Sequence, residues 1–201
     1  MRKPDFEAYL LELNCLSHRR IVFLGRGVND DEESGVDTEM VRKASLALLE
    51  LDAAEEKPIG ILIHSFGGDV LAGYSLFDLI SGCRSHVTTV VCGAACSAAS
   101  FFMQAADERV ITPNSWLMLH DGFYSMSDMK KKDAMETIRV YKEWSDQFAR
   151  VYMEKMGLSL SRVKKILEND KWIGAKEAIE MKLVDRIAPT WKDALPTAYT
   201  G

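Results

Sequence analysis

The sequence predicts an α/β protein, and two observations carry this prediction. Short apolar runs bounded by turn residues alternate along the chain with segments whose apolar residues repeat every three or four positions. This alternation is typical of parallel strands joined by helical crossovers. The composition agrees, because 47% hydrophobic and 27% charged residues in a chain of 201 are the proportions of an ordinary globular protein.

Charge and cysteine content narrow the functional classes. The net charge of -5 and the isoelectric point near 5.5 provide no basic field for a phosphate backbone, so nucleic-acid binding is not expected. The four cysteines form no CxxC pair and are too few for a disulfide scaffold, which predicts free thiols and no zinc site. No apolar run is long enough for a signal peptide or a membrane span, so we expect a cytoplasmic protein.

The first half of the chain contains two strand-to-helix units. A buried strand at residues 21–24 is followed by an acidic loop and a helix over 38–52, with Thr38 as its expected N-cap. A second strand at 59–63 is ended by Gly67 and Gly68, and residues 70–80 are predicted to be helical.

The second half repeats this pattern and then becomes mainly helical. A strand at 87–92 is expected to end at Gly93 before a small-residue helix that starts near Ser97. The later elements are predicted as strands at 109–111, 116–119 and 184–187 and as helices at 128–156, 159–168 and 175–181. Residues 1–190 are predicted to form one domain, and residues 191–201 a loose tail.

A serine stands at one of the strand-to-helix junctions. Ser97 has the small neighbours Ala95 and Ala98, which would let a substrate backbone approach closely, and the N–H of Ala98 would point into the same space. A second N–H donor could come from the Gly67 and Gly68 turn, where no Cβ blocks contact with a bound peptide. Acyl transfer needs such a hydroxyl and two such donors for the oxyanion.

A serine nucleophile also needs a histidine base and a carboxylate that orients the base. His120 ends a predicted strand, which is where α/β folds place reactive side chains. His64 also ends a strand, and pattern alone leaves both histidines open. Thirty Asp and Glu residues give no means of choosing the carboxylate.

Several segments together resemble the ClpP peptidases, over about residues 6 to 187. They are RIVFLG at 20–25, HSFGGDVLAGYSLFDLI at 64–80, GAACSAAS at 93–100, PNSWLMLH at 113–120 and NDKWIGAKEAIEMKLVDRI at 169–187. The resemblance implies Ser97 as nucleophile, His120 as base and Asp170 as the orienting carboxylate. It also implies an oxyanion hole made by the N–H groups of Gly68 and Ala98.

The same resemblance implies a fold and an assembly. The fold would be a ClpP/crotonase-like spiral of βαβ units with a protruding long helix. The activity would be that of a serine endopeptidase without cofactor or metal, which cuts unfolded polypeptides inside a heptameric ring. Two such rings usually stack into a tetradecamer, and a Clp-type ATPase feeds them.

Three departures from the family pattern bear on assembly and substrate binding. Only five residues precede Phe6, where family members carry a longer gating segment, which puts ATPase docking in question. Residues 121–124 replace a glycine-rich strand that lines the family's substrate groove, and Asn169 replaces an arginine used between rings. We therefore expect stacking of two rings to be weaker than formation of one.

Two other functions compete with an active peptidase. A catalytically silent ClpP-like ring subunit would lose triad residues, whereas all three are present here. A crotonase-type acyl-CoA enzyme shares the fold and a two-amide oxyanion hole. That function would need a different acid or base and a CoA site, and the sequence offers neither.

Overall fold

The computed structural model describes residues 15–16, 20–25, 35–122 and 130–195. The strands are β1 (Cys15–Leu16), β2 (Ile21–Leu24), β3 (Ile59–Ser65), β4 (Val87–Cys96), β5 (Glu108–Ile111), β6 (Trp116–Leu119), β7 (Lys171–Gly174) and β8 (Arg186–Ile187). The helices are α1 (Thr38–Ala54), α2 (Val70–Gly82), α3 (Ala98–Phe102), α4 (Lys131–Met156), α5 (Leu160–Leu167), α6 (Ala175–Glu180) and α7 (Trp191–Ala194), with a 3-10 turn at Met103–Ala105.

These strands form one mixed sheet that forks at β4. Its main path runs in the order β1, β2, β3, β4, β5, β8, and only β1 is antiparallel to its neighbour on that path. The first half of β4 pairs with β5 through residues 88–91, and its second half pairs with β6 through residues 94–96. β6 then pairs with β7 in antiparallel fashion. The predicted α/β class is confirmed, and β4 carries the chain from the main sheet to the fork where Ser97 follows.

The sheet is buried on both faces. A large apolar cluster packs α1 to α4 against one face, and a smaller one contains Val90, Val110 and Leu195. Val90 and Val91 belong to different clusters, and both are fully buried. Successive side chains of a strand point to opposite faces, so a strand covered on both sides is expected to be largely apolar. This burial explains why β4 is mostly apolar, with Thr88 and Thr89 as its buried polar residues.

Most predicted elements are present, with differences at their ends. The N-cap of α1 is Asp37, not Thr38, because Oδ1 of Asp37 accepts the Met40 N–H at 2.7 Å. Gly93 does not end its strand. With φ of 113° it forms an irregularity at which the pairing of β3 with β4 shifts register, and β4 continues to Cys96. The short strand β7 was not predicted.

The expected loose tail is wrong for residues 191–195. Thr190 and Asp193 form a reciprocal capping box that starts α7. Ala194 and Leu195 are buried against the second face of the sheet. Residues 196–201 lie outside the described part of the chain.

Helix α4 is buried only in its C-terminal half. Phe148, Tyr152 and Met156 pack into the core, whereas Met135 and Ile138 are more than half exposed. The apolar stripe of this helix therefore serves core packing at one end only, and the other end extends from the core.

The end of α4 provides a test of backbone geometry. Gly157 is left-handed at φ of 67° and donates its N–H to the Met153 carbonyl, so Gly157→Ala should lower the free energy of unfolding by about 1 kcal/mol. Gly82→Ala is the matched control, since a Cβ there meets nothing within 4 Å and should be neutral or stabilising. Denaturant unfolding measures both, and equal effects would contradict the assignment.

Candidate active site

Ser97 occupies a strained backbone conformation between β4 and α3. Its φ of 52° and ψ of -124° are rare for any residue with a Cβ and cost on the order of 1–3 kcal/mol. The surrounding backbone holds this shape, because the Ser97 N–H donates to the Met118 carbonyl at 2.8 Å and the Ser97 carbonyl accepts from Phe101 N–H at 3.1 Å. The sharp turn leaves the side chain half-buried at the surface of the junction.

The glycine pair lies directly against this turn. A Cβ on Gly67 would come 2.6 Å from the Ser97 Cβ and 3.3 Å from the Ala98 nitrogen, so only glycine allows the approach. A Cβ on Gly68 would collide with the Val36 backbone at 2.4 Å. Val36 fixes the pair by donating its N–H to the Gly67 carbonyl at 2.6 Å and accepting from Asp69 N–H at 2.7 Å. The structure thus brings the Gly67 and Gly68 turn next to Ser97 and Ala98.

Strand pairing brings His120 to Ser97. In the parallel pair of β4 and β6, Cys96 lies opposite Met118, so the chain leaves both strands at the same end of the sheet. Nε2 of His120 lies 2.6 Å from Oγ of Ser97, a hydrogen bond between residues 23 positions apart in sequence. The side chain of His120 is only 9% exposed, which limits competition from water.

A second register places Asp170. In the antiparallel pair of β6 and β7, Leu119 lies opposite Lys171, so the next residues out, His120 and Asp170, also face each other. Nδ1 of His120 and Oδ1 of Asp170 are 3.6 Å apart, which is an ion-pair distance and too long for a hydrogen bond. The Asp170 side chain is 56% exposed. The three residues that the resemblance selected therefore lie together, with the hydroxyl–imidazole contact closer than the imidazole–carboxylate contact.

His64, the competing histidine, has a different set of contacts. Its Nδ1 accepts the Ala94 N–H at 3.2 Å, and its ring lies edge-on to Phe66. A Cβ on Gly93 would approach Nδ1 of His64 to 2.4 Å, so the ring packs closely on the β4 irregularity. His64 thus helps to fix the strand before the nucleophile, while His120 is the histidine hydrogen-bonded to Ser97.

A small, mainly apolar pocket opens beside the two reactive side chains. Val70, Trp144 and Phe148 line it together with Ser97 and His120. Sequence reasoning missed these lining residues, because Trp144 and Phe148 belong to an apolar stripe that is typical of helix packing. The space itself is narrow, with a volume of about 20 Å³, so it marks an apolar surface beside the nucleophile and not a deep side-chain pocket.

Cys96 precedes Ser97 but has a different environment. It is fully buried, and this burial raises the pKa of its thiol to about 11. A thiol of this kind stays protonated near neutral pH and is a poor nucleophile. Within the described ranges, no group of three His, Cys, Asp or Glu side chains is arranged to hold a metal ion.

The residues that depart from the family pattern are only partly described. Asp121 is exposed and donates its N–H to the Leu167 carbonyl at 3.0 Å, which ties the chain after His120 to the end of α5. Asn169 is exposed beside Asp170. Phe123 and Tyr124 lie outside the described residues. None of the described helices is both long and apolar enough to cross a membrane.

Comparison with known proteins identifies the family. A family model described as Clp protease matches residues 7–190. The ATP-dependent Clp protease proteolytic subunit of Chlorella vulgaris is 32% identical over 181 residues, covering 87% of this chain and 84% of that protein. The proteolytic subunit 1 of Protochlamydia amoebophila is 31% identical over 195 residues, covering 94% and 90%.

A solved structure agrees with the fold. The structure of a ClpP1 point mutant from Listeria monocytogenes superposes with a TM-score of 0.78 at 24% identity, covering 90% of this chain and 97% of that one. Clp family proteolytic subunits are generally serine peptidases that form rings and work with Clp ATPases. The matched length and the shared identity show that this chain belongs to the Clp protease family.

Proposed function

We propose that this protein is a serine endopeptidase that cleaves peptides and unfolded polypeptides through an acyl-enzyme formed on Ser97. The observation that carries the proposal is the 2.6 Å contact between Oγ of Ser97 and Nε2 of His120, on a strained turn that abuts a glycine pair. A serine hydroxyl is weakly nucleophilic near neutral pH, so a base within hydrogen-bonding reach is the first requirement of this chemistry.

In the acylation step, a neutral His120 with its proton on Nδ1 accepts the hydroxyl proton of Ser97 at Nε2. Oγ bonds to the substrate carbonyl carbon, and the tetrahedral intermediate collapses as His120 returns that proton to the leaving amine. In deacylation, His120 accepts a proton from a water molecule, and the water oxygen attacks the ester carbon. His120 then returns the proton to Oγ of Ser97 as the carboxylic acid product leaves. The apolar surface at Val70, Trp144 and Phe148 lies beside Ser97 and would contact the side chain next to the cleaved bond.

Gly68 and Ala98 are proposed to bind the oxyanion through their N–H groups. The support is that a side chain on Gly67 would touch both Ser97 and the Ala98 nitrogen, so the glycine turn and the start of α3 form one small space around Oγ. A donor aimed at an oxyanion is worth about 3–4 kcal/mol of barrier.

Asp170 is proposed to orient His120. Its carboxylate lies on the Nδ1 side of the ring at 3.6 Å, so it favours the tautomer with a proton on Nδ1 and stabilises the imidazolium that forms during acylation. The alternative function is that of a catalytically silent ring subunit. Such a subunit would not need the 2.6 Å contact between Ser97 and His120, so this contact favours an active peptidase.

The nucleophile can be tested by covalent labelling. A fluorophosphonate probe should label the wild-type protein, and Ser97→Ala should abolish labelling because the attacking oxygen is removed. Cys96→Ala is the matched control. Cys96 is buried next to Ser97 and takes no part in the reaction, so this variant should be labelled at the wild-type rate. Mass mapping of the label to another residue would refute the assignment.

The base can be tested by comparing the two histidines. His120→Asn should lower kcat on a small peptide substrate by on the order of 10⁴-fold, because proton transfer from Ser97 is lost. His64→Asn keeps an acceptor for the Ala94 N–H and should stay within a few-fold of wild type. Loss of activity in His64→Asn with retention in His120→Asn would reverse the assignment.

We further propose a heptameric ring that encloses the active sites and receives substrate from a Clp-type ATPase. Family membership supports this assembly. The described thiols Cys83, Cys92 and Cys96 are free, which fits work in the reducing cytoplasm. Stacking of two rings should be weak, because Asn169 replaces the charged family residue between rings and stands exposed beside Asp170.

Particle mass at nanomolar concentration tests this assembly. Single heptameric rings should dominate for the wild type, and Asn169→Arg should shift the population toward stacked pairs. A fourteen-subunit wild-type particle that persists on dilution would contradict weak stacking, and a monomer at micromolar concentration would contradict the ring itself.

A further inference from the structure

A pair of buried hydroxyls lies directly beneath the nucleophile. Ser100 in α3 is fully buried, and its Oγ lies 2.7 Å from the Ser97 carbonyl and 3.1 Å from the Met118 carbonyl. The same Oγ lies 2.8 Å from the hydroxyl of Tyr152 in α4, a residue 52 positions later in the chain. The pair therefore links the core half of the long helix to the strained turn at Ser97.

Proton counting fixes the direction of these hydrogen bonds. Each hydroxyl has one proton, and Ser100 is the acceptor that the structure gives Tyr152 among the described residues. Tyr152 therefore donates to Ser100, and Ser100 donates to the Ser97 carbonyl, with the Met118 carbonyl as a longer second acceptor. Burial raises the pKa of Tyr152, so its hydroxyl stays protonated near neutral pH.

The acceptor of this chain belongs to a functionally placed peptide group. The carbonyl of Ser97 and the N–H of Ala98 are parts of the same planar peptide unit, in which they point in opposite directions. A hydrogen bond that holds the carbonyl in place also sets the direction of the N–H. The Phe101 N–H reaches the same carbonyl at 3.1 Å, longer than the 2.7 Å contact from Ser100.

Core packing does not require the two hydroxyls. Burying a hydroxyl is unfavourable unless it is hydrogen-bonded, whereas alanine and phenylalanine would occupy the same two positions without polar atoms. Tyr152 has a ring that is fully buried in the main core, so packing alone requires only the ring. The hydroxyls instead satisfy one another and end on the backbone of Ser97.

We propose that Tyr152 and Ser100 are positioning residues for the reaction, forming a hydroxyl relay from α4 that aims the Ala98 N–H at the oxyanion. The inference rests on the proposed peptidase function and on the assignment of the Ala98 N–H to the oxyanion hole. The relay acts through the peptide plane and touches no substrate. Its loss should weaken stabilisation of the transition state and leave substrate binding unchanged.

Four variants test the relay. Tyr152→Phe and Ser100→Ala should each lower kcat and the rate of fluorophosphonate labelling about 10-fold, less than the loss of a whole oxyanion donor, with KM within about twofold of wild type. The double variant should be no slower than Ser100→Ala, because Tyr152 acts only through Ser100. Tyr74→Phe is the matched control, since it deletes a hydroxyl that donates to the Trp144 carbonyl in the same helix, and should keep wild-type kcat.

Several outcomes would overturn the relay. In the first, the losses of kcat in the two single variants multiply in the double variant. In the second, the single variants change only KM. In the third, Tyr74→Phe loses as much kcat as the relay variants. A crystal structure of Ser100→Ala supplies a readout that needs no activity. The peptide plane between Ser97 and Ala98 should rotate relative to wild type, and an unchanged plane would contradict the relay. Absence of labelling in the wild type would count against the peptidase function, and the orientation of this plane would still decide the relay.

Discussion

The strained, positive-φ backbone of Ser97 is the constraint on which the site depends. A residue with a Cβ keeps such a conformation only where its surroundings outweigh the strain. Here the Met118 carbonyl binds the N–H of Ser97, while Phe101 and Ser100 bind its carbonyl. The packing of Gly67 against its Cβ leaves the turn no room to relax. The same turn presents Oγ to His120 and places the next N–H at the edge of the glycine pair.

Both proposed oxyanion donors are oriented in the same indirect way. The N–H of Gly68 shares its peptide plane with the Gly67 carbonyl, which accepts from Val36 N–H at 2.6 Å. The N–H of Ala98 shares its plane with the Ser97 carbonyl, which accepts from the Ser100 hydroxyl at 2.7 Å. In each case a hydrogen bond to the carbonyl of a peptide unit fixes the direction of the N–H in the same unit. Such preorganisation needs no movement when charge develops on the substrate.

Strand register explains how distant residues meet. The strand β6 is parallel to the end of β4 and antiparallel to β7, so its last residues adjoin Ser97 on one side and Asp170 on the other. His120 follows β6 and therefore lies between them. This arrangement explains why the fork in the sheet at β4 matters for function as well as for fold.

The sequence predicted what local patterns determine and missed what tertiary packing determines. β6 and the starts of α1, β3 and α2 match the predictions because apolar periodicity and flanking turn residues mark them. The strand continues past Gly93 because His64 and the neighbouring strands hold it, and no local pattern shows that support. Residues 191–194 fold as a helix and are not loose, because Leu195 at the end of that helix packs on the sheet against Gly60.

The candidate site also contains residues that local patterns reveal and residues that only tertiary packing reveals. Ser97 and the glycine pair stand out locally, since small residues at a strand-to-helix junction are a recognisable pattern. Asp170 is one of thirty acidic residues, so chemistry alone could not select it, and only resemblance and then register point to it. Tyr152 lies within the predicted helix 128–156 at the spacing of its other apolar residues, and this spacing indicates packing alone. Its hydroxyl acquires a role only through Ser100, a contact that spans 52 residues.

A crystal structure of the protein bound to a peptide boronate tests the central claim most directly. The account predicts boron bonded to Oγ of Ser97, with one boronate oxygen within hydrogen-bonding distance of the N–H groups of both Gly68 and Ala98. His120 should remain beside Oγ. A boronate bonded to another residue, or an oxygen directed into solvent away from both N–H groups, would contradict the account.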